Sequence, residues 1–184
     1  MLRTVASSFS RAAKFAPVAR ATPSIQIAKF GTSEKNGSIV DAWNKSCYHE
    51  MDYTINENST VFDAVEKFAA FDVGALVTVD DEGNFSGIIS ERDYIKKIAL
   101  LGKTSKETAI KDIYVHSRNV KTASVDDSVE KAMEIMMTKS VRHLPIMDGE
   151  KLVGIVSIKD LIKEVVADRE KTIRELSEFA LGKV

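Results

Sequence analysis

The sequence predicts a mixed α/β fold, an α+β arrangement of two small sheets packed by helices and related by a pseudo-two-fold axis. Three observations predict it. Gly87-Ile88-Ile89-Ser90-Glu91-Arg92-Asp93 and Gly154-Ile155-Val156-Ser157-Ile158-Lys159-Asp160 are the same Gly-x-x-Ser-x-x-Asp phrase, 67 residues apart. Upstream, Ala64, Val65, Phe68 and Ala69 match Ala132, Met133, Met136 and Met137 at an offset of 68, which is helical spacing. Between these, 73–80 runs in register with 141–148, and the offset changes only in the turns after Asp80 and Asp148, where a hairpin loop tolerates a lost residue. Each half therefore reads extended segment, helix, strand, tight turn, strand, helix.

Taken in order, residues 1–33 differ in composition from the rest. They carry Arg3, Arg11, Lys14, Arg20 and Lys29 and no acidic residue. On a helix Leu2, Val5, Ala6, Phe9, Ala13 and Ala16 share one side, the amphipathic, acid-poor form of a mitochondrial transit peptide, and the expected destination is the matrix. Removing five positive charges takes the net charge from −1 to −6, which argues against a nucleic-acid partner. Residues 34–52 form a lead-in in which Ile39, Val40, Trp43 and Tyr48 are expected anchors for a short element lying across the core.

The first repeat is expected over 53–101, a polar linker over 102–111 and the second repeat over 112–166. One unit of about 50 residues buries too little apolar surface to be stable alone, so Val77, Val79, Ile88 and Ile89 should share a core with Ile146, Ile155 and Val156. The extension 167–184 continues the last helix. Leu161, Ile162, Val165, Val166, Arg169, Ile173, Leu176 and Ala180 alternate in steps of three and four as far as Gly182, an apolar stripe that outruns its domain and asks for a partner. No apolar run approaches the roughly 18 residues of a transmembrane segment. The single cysteine, Cys47, excludes an internal disulfide framework, and three scattered histidines offer no metal cluster.

Ser90 and Ser157 fall where a strand becomes a helix, so unpaired backbone N–H groups and the helix dipole should favour a phosphate there. Asp93 and Asp160, one turn on, could accept hydrogen bonds from the two hydroxyls of a ribose. The same Ser-x-x-Asp spacing is a capping box, and both roles can coexist. Arg92 and Lys159 stand at equivalent positions beside the aspartates and could contact phosphates, or simply solvate a helix face. Arg142 and His143 have no counterpart in the first repeat, where Gly74 and Ala75 stand, so the two clefts should differ. Other motifs fail. Gly102-Lys103-Thr104 has Lys97 where a P-loop needs glycine and follows a helix, and Cys47 with His49 has no orienting third group. No catalytic pair remains, and no enzyme is expected.

The repeated motif, with Val141-Arg142-His143-Leu144-Pro145, resembles the CBS domain in its tandem form, the Bateman module, over residues 53–166. Ser90 to Ile98, Gly102 to Thr108 and the ending Ala167-Asp168-Arg169-Glu170 are similar to the small stand-alone CBSX-type proteins, in their mitochondrial branch. The resemblance implies AMP, ADP or ATP as ligand, with magnesium as a possible companion of the phosphates. The candidate nucleotide-binding residues are then Ser90, Arg92, Asp93, Arg142, His143, Pro145, Ser157, Lys159 and Asp160, with adenine meeting backbone near Tyr53 to Ile55 and Lys121 to Ala123. It also implies a homodimer and a protein partner such as a thioredoxin. Two readings follow: a regulatory adenine-nucleotide sensor, or an accessory subunit of a mitochondrial respiratory complex in which the nucleotide is structural or absent.

Overall fold

Each half of the chain folds as strand, helix, strand, strand, helix. In this computed structural model, which describes residues 37–182, the first half contains β1 (Thr54–Asn56), α2 (Val61–Phe71), β2 (Ala75–Val79), β3 (Phe85–Ser90) and α3 (Glu91–Lys97). The second contains β5 (Ala123–Ser124), α4 (Val129–Lys139), β6 (His143–Asp148), β7 (Lys151–Ser157) and α5 (Ile158–Ala180). A short α1 (Ile39–Asn44) precedes them, and β4 (Val115–His116) lies between them. The expected targeting segment, 1–33, lies outside the described residues.

The sheets have the orders β1-β2-β3-β4 and β5-β6-β7, with the first pair of each parallel and the remainder antiparallel. Both hairpins shift register near the turn and at equivalent positions, Thr78/Val79 and Ile146/Met147. β4 falls on the second-repeat side of the expected 111/112 boundary, yet pairs with β3 of the first sheet. Local chemistry sets the helix ends. Thr60 and Ser128 cap α2 and α4, and both helices stop at a left-handed residue, Asp72 (φ 52) and Ser140 (φ 54), at matching positions.

One core serves both halves. Val77, Ile89, Ile146, Ile155 and Val156 are all fully buried, whereas Val79 and Ile88 are half-buried. The lead-in joins that core through Ile39, Trp43 and Tyr48, with α1 packed on α5 and α4. α5 is capped by Leu181, with Gly182 left-handed after it, and its surface leaves Ile162, Val166, Ile173, Leu176 and Phe179 exposed. No described helix is long and apolar enough to cross a membrane.

Candidate functional site

Both repeated serines are helix N-caps, and both aspartates complete a capping box. Asp93 Oδ2 accepts from Ser90 N–H (3.1 Å) and Oγ–H (2.6 Å), and Asp160 Oδ2 accepts from Ser157 N–H (2.8 Å) and Oγ–H (2.5 Å). The next backbone donors are also used. Glu91 N–H donates to Gly74 O (3.2 Å) and Ile158 N–H to Arg142 O (2.9 Å), so each helix start is tied to the strand entrance opposite. The open helix mouth expected at each serine is therefore mostly closed by the protein itself. A phosphate there would rely chiefly on side chains.

The motif glycines also serve the protein. A Cβ on Gly87 would lie 2.2 Å from Val115 O and 2.5 Å from the Tyr114 ring, and one on Gly154 would lie 2.5 Å from the Trp43 ring. The close approach that glycine permits is made here by the chain's own aromatics and by β4.

A cleft of about 200 Å³ opens beside Ser90 and Asp93. Its apolar lining is Ala75, Ile88, Val115, Val120 and Val141, and its polar lining includes Arg92, Lys96, Lys121, Ser140, Arg142 and His143. It is smaller than the roughly 300–1,000 Å³ of enclosed ligand sites, so part of a ligand would stay at its mouth. Arg92, Lys96, Lys121 and Arg142 converge there, and none has a carboxylate partner among the described residues. Asp93 Oδ1 instead pairs with Lys97 (3.0 Å), whose ammonium also donates to Ile113 O. An apolar wall with four cations and a hydroxyl–carboxyl pair can hold a flat apolar ring at one end and an anion at the other.

His143 forms a wall of this cleft without acting as a cation. Burial, with Arg142 adding and Asp160 opposing, pushes its pKa down to about 4, so the ring is neutral at pH 7. Ser90, Arg92, Asp93, Arg142 and His143 thus come together from both repeats. Ser157 is half-buried, Lys159 exposed and Asp160 4% exposed, and none of the three lines the cleft. Pro145 is buried in β6 opposite Ile155, in the part of that central strand that β5 does not cover, as a residue lacking N–H requires. The sequence reading did not include Lys96 or the Lys121 side chain. Lys96 stands four residues after Arg92 on α3 and was findable as its helical neighbour; Lys121 carries no such signal.

Fold and site together define a two-repeat α/β module with a cationic cleft between its halves. Comparison with known proteins agrees: the CBS domain family model matches residues 50–100 and 110–167, and the chain belongs to the CBS-domain family. It is 34% identical over 127 residues to a mitochondrial CBS domain-containing protein, CBSX3, of Arabidopsis thaliana, a match covering 68% of this chain and 62% of that one. The chain thus spans under two thirds of that relative's length. It is also 34% identical over 133 residues to the inosine-5'-monophosphate dehydrogenase of Methanocaldococcus jannaschii, 70% of this chain but 25% of the enzyme. A solved CBS-domain protein from Burkholderia ambifaria superposes with a TM-score of 0.64 at 34% identity, covering 72% of this chain and 96% of that one. This is a CBS-domain regulatory module.

Proposed function

We propose that the chain binds an adenine nucleotide, AMP, ADP or ATP, in the Ser90/Asp93 cleft and thereby regulates a protein partner in the mitochondrial matrix, with no catalysis of its own. The observation that carries this reading is the convergence of four cations, without a carboxylate partner among the described residues, on an apolar cleft that also holds a serine–aspartate pair. Arg92, Lys96, Lys121 and Arg142 supply the charge for phosphates, Asp93 and Ser90 the polar contacts for a ribose, and Val120, Ile88 and Ala75 the surface for a base. Magnesium could accompany a polyphosphate; among the described residues Asp93 is the carboxylate of the lining that could meet it. The matrix address rests on the acid-poor N-terminal segment and on the mitochondrial name of the Arabidopsis relative. A thioredoxin is the partner implied by the resemblance to the CBSX group. Ligand binding can act on a partner only through a difference in affinity between two packings of the repeats, and about 1–3 kcal/mol suffices.

The exposed apolar residues of α5 favour a second reading, that of an assembly subunit. Ile162, Val166, Ile173 and Leu176 follow a four-three-four-three spacing with Arg169, the pattern of a helix that pairs with another helix. A homodimer through this face is compatible with either reading. Docking into a respiratory complex, with a structural nucleotide or none, is the form of the second.

Thermal unfolding of the full chain with AMP, ADP, ATP, S-adenosylmethionine and NADH separates them. A ligand at 100 times its Kd adds about 2.7 kcal/mol, which for a chain of this size is roughly 5–10 °C. No shift with any adenosine compound would reject the sensor and leave the scaffold.

A further inference from the structure

We infer that Tyr48 is a built-in occupant of the second pseudo-equivalent cleft, so that the chain offers a nucleotide one site, at Ser90 and Asp93. The inference rests on the nucleotide reading above and adds which half is available and what closes the other.

The lead-in crosses the second repeat as the linker crosses the first. The Thr60–Ala109 bridge at the start of α2 is matched by a Ser38–Ser128 bridge at the start of α4. Val61 N–H donates to Thr108 O (2.9 Å), and Val129 N–H to Gly37 O (3.3 Å). Tyr114 lies on Gly87, and Trp43 lies on Gly154. After these aromatics the two paths diverge. The linker extends as β4 along β3 and borders the open cleft through Val115. The lead-in turns into a 3₁₀ helix, Cys47–Glu50, where Ser46 Oγ accepts from Tyr48 N–H (3.2 Å), and Tyr48 goes inward to 2% exposure.

Its surroundings are the counterparts of the open cleft's lining. The ring meets His143 edge-on, with centroids 6.1 Å apart at 84°. The hydroxyl lies beside the backbone of Gly74 and Ala75 without a hydrogen bond of ordinary geometry, and the Asp160 carboxyl is close enough to act on it. At an offset of 67 or 68, Gly74, Ala75 and Asp160 correspond to Arg142, His143 and Asp93. An aromatic side chain of the chain thus stands in the twin of the space that a ligand would take beside Ser90 and Asp93.

Two further differences agree. Val77 N–H donates to Tyr53 O (2.9 Å), whereas its counterpart Pro145 has no N–H, and the Lys121 carbonyl beside the open cleft accepts no hydrogen bond among the described residues. A backbone acceptor is thus in use on the closed side and free on the open one. Where Lys97 holds Asp93, the second repeat has Glu164, 8% exposed, which instead binds Lys45 of the lead-in (2.8 Å) and clamps that segment down. His143 is the shared wall, lining the open cleft while touching Tyr48 on the other side.

Equilibrium dialysis of the full chain against AMP, with adenosine in parallel, tests this. One ligand per chain is expected, and two in the unaltered chain would overturn the inference. Tyr48→Ala is expected to bind a second adenosine, and p-cresol, which has the shape of the deleted side chain, should raise its melting temperature by about 3 °C or more without affecting the unaltered chain. A Tyr48→Ala chain that is stabilised by p-cresol but takes no second adenosine would show an ordinary core tyrosine and also overturn it. If Tyr48→Ala does not fold, Tyr48→Leu replaces it and the stoichiometry of the unaltered chain decides. Failure of the unaltered chain to bind any adenosine compound, while Tyr48→Ala binds one, would reject the nucleotide function and leave the plug standing.

Discussion

Acidification should cost this protein stability through His143, and the size of the effect follows from the site. Burial between the cleft and Tyr48, with Arg142 adjacent, holds the folded-state pKa at about 4, and Asp160 opposes this only in part. The unfolded chain titrates near 6.5. Between these values the unfolded state binds a proton that the folded state refuses, so the contribution is fully present above pH 6.5 and is lost as pH falls toward 4. The gap corresponds to roughly 3 kcal/mol below pH 4 and about 2 kcal/mol at pH 5. His143→Gln removes the titration while keeping a polar side chain. Urea unfolding at pH 8, 6 and 5, followed by the fluorescence of Trp43, the only tryptophan and 7% exposed, reads the difference. Other groups titrate in both chains, so the comparison isolates His143. Between pH 8 and 5 the unaltered chain should lose about 1 M more in urea midpoint than the variant, for a slope of about 2 kcal/mol/M. Parallel losses in the two chains would refute the claim that this half-buried imidazole is held neutral.

Gly87→Ala should destabilise by about 2 kcal/mol or more, because its Cβ meets a backbone carbonyl at 2.2 Å; Gly154→Ala meets a ring and should cost about 1–3 kcal/mol, both read by calorimetry. Asp72→Gly should raise the melting temperature, by about 0.5–1 kcal/mol in stability, since it relieves a left-handed residue at φ 52 on the exposed end of α2. Arg142→Ala should weaken ATP more than AMP, with the loss shrinking at high salt when affinities are compared by calorimetric titration. Leu176→Lys with Ile173→Lys should leave the fold intact by circular dichroism but shift a self-associating chain toward monomer in sedimentation, as both side chains are 63% exposed and apolar.

Much of the fold was readable in the chain itself. The repeat offset placed both βαββα units, and the four-three spacing carried α5 to within a residue of its end at Ala180. Ser-x-x-Asp read as a capping box in both copies, and it is one in both. Trp43 and Tyr48 were readable as anchors because apolar aromatics in a polar stretch seldom have another use; that Tyr48 enters the twin of the Ser90/Asp93 cleft was not. The lead-in and the linker share no sequence phrase, and their equivalence lies in backbone contacts at Gly37, Thr108 and the two motif glycines.

Residues within a few positions of one another determined the caps, turns, strand alternation and duplication, because those depend on hydrogen bonds and side-chain periods that a short segment satisfies alone. Which cleft opens was decided in three dimensions. Arg142 and His143 of one repeat meet Ser90 and Asp93 of the other, while Asp160 is sealed under a segment more than a hundred residues earlier in the chain. Two nearly identical motifs acquire different environments because burial and charge depend on what packs across them, and that is a property of the folded core rather than of either phrase.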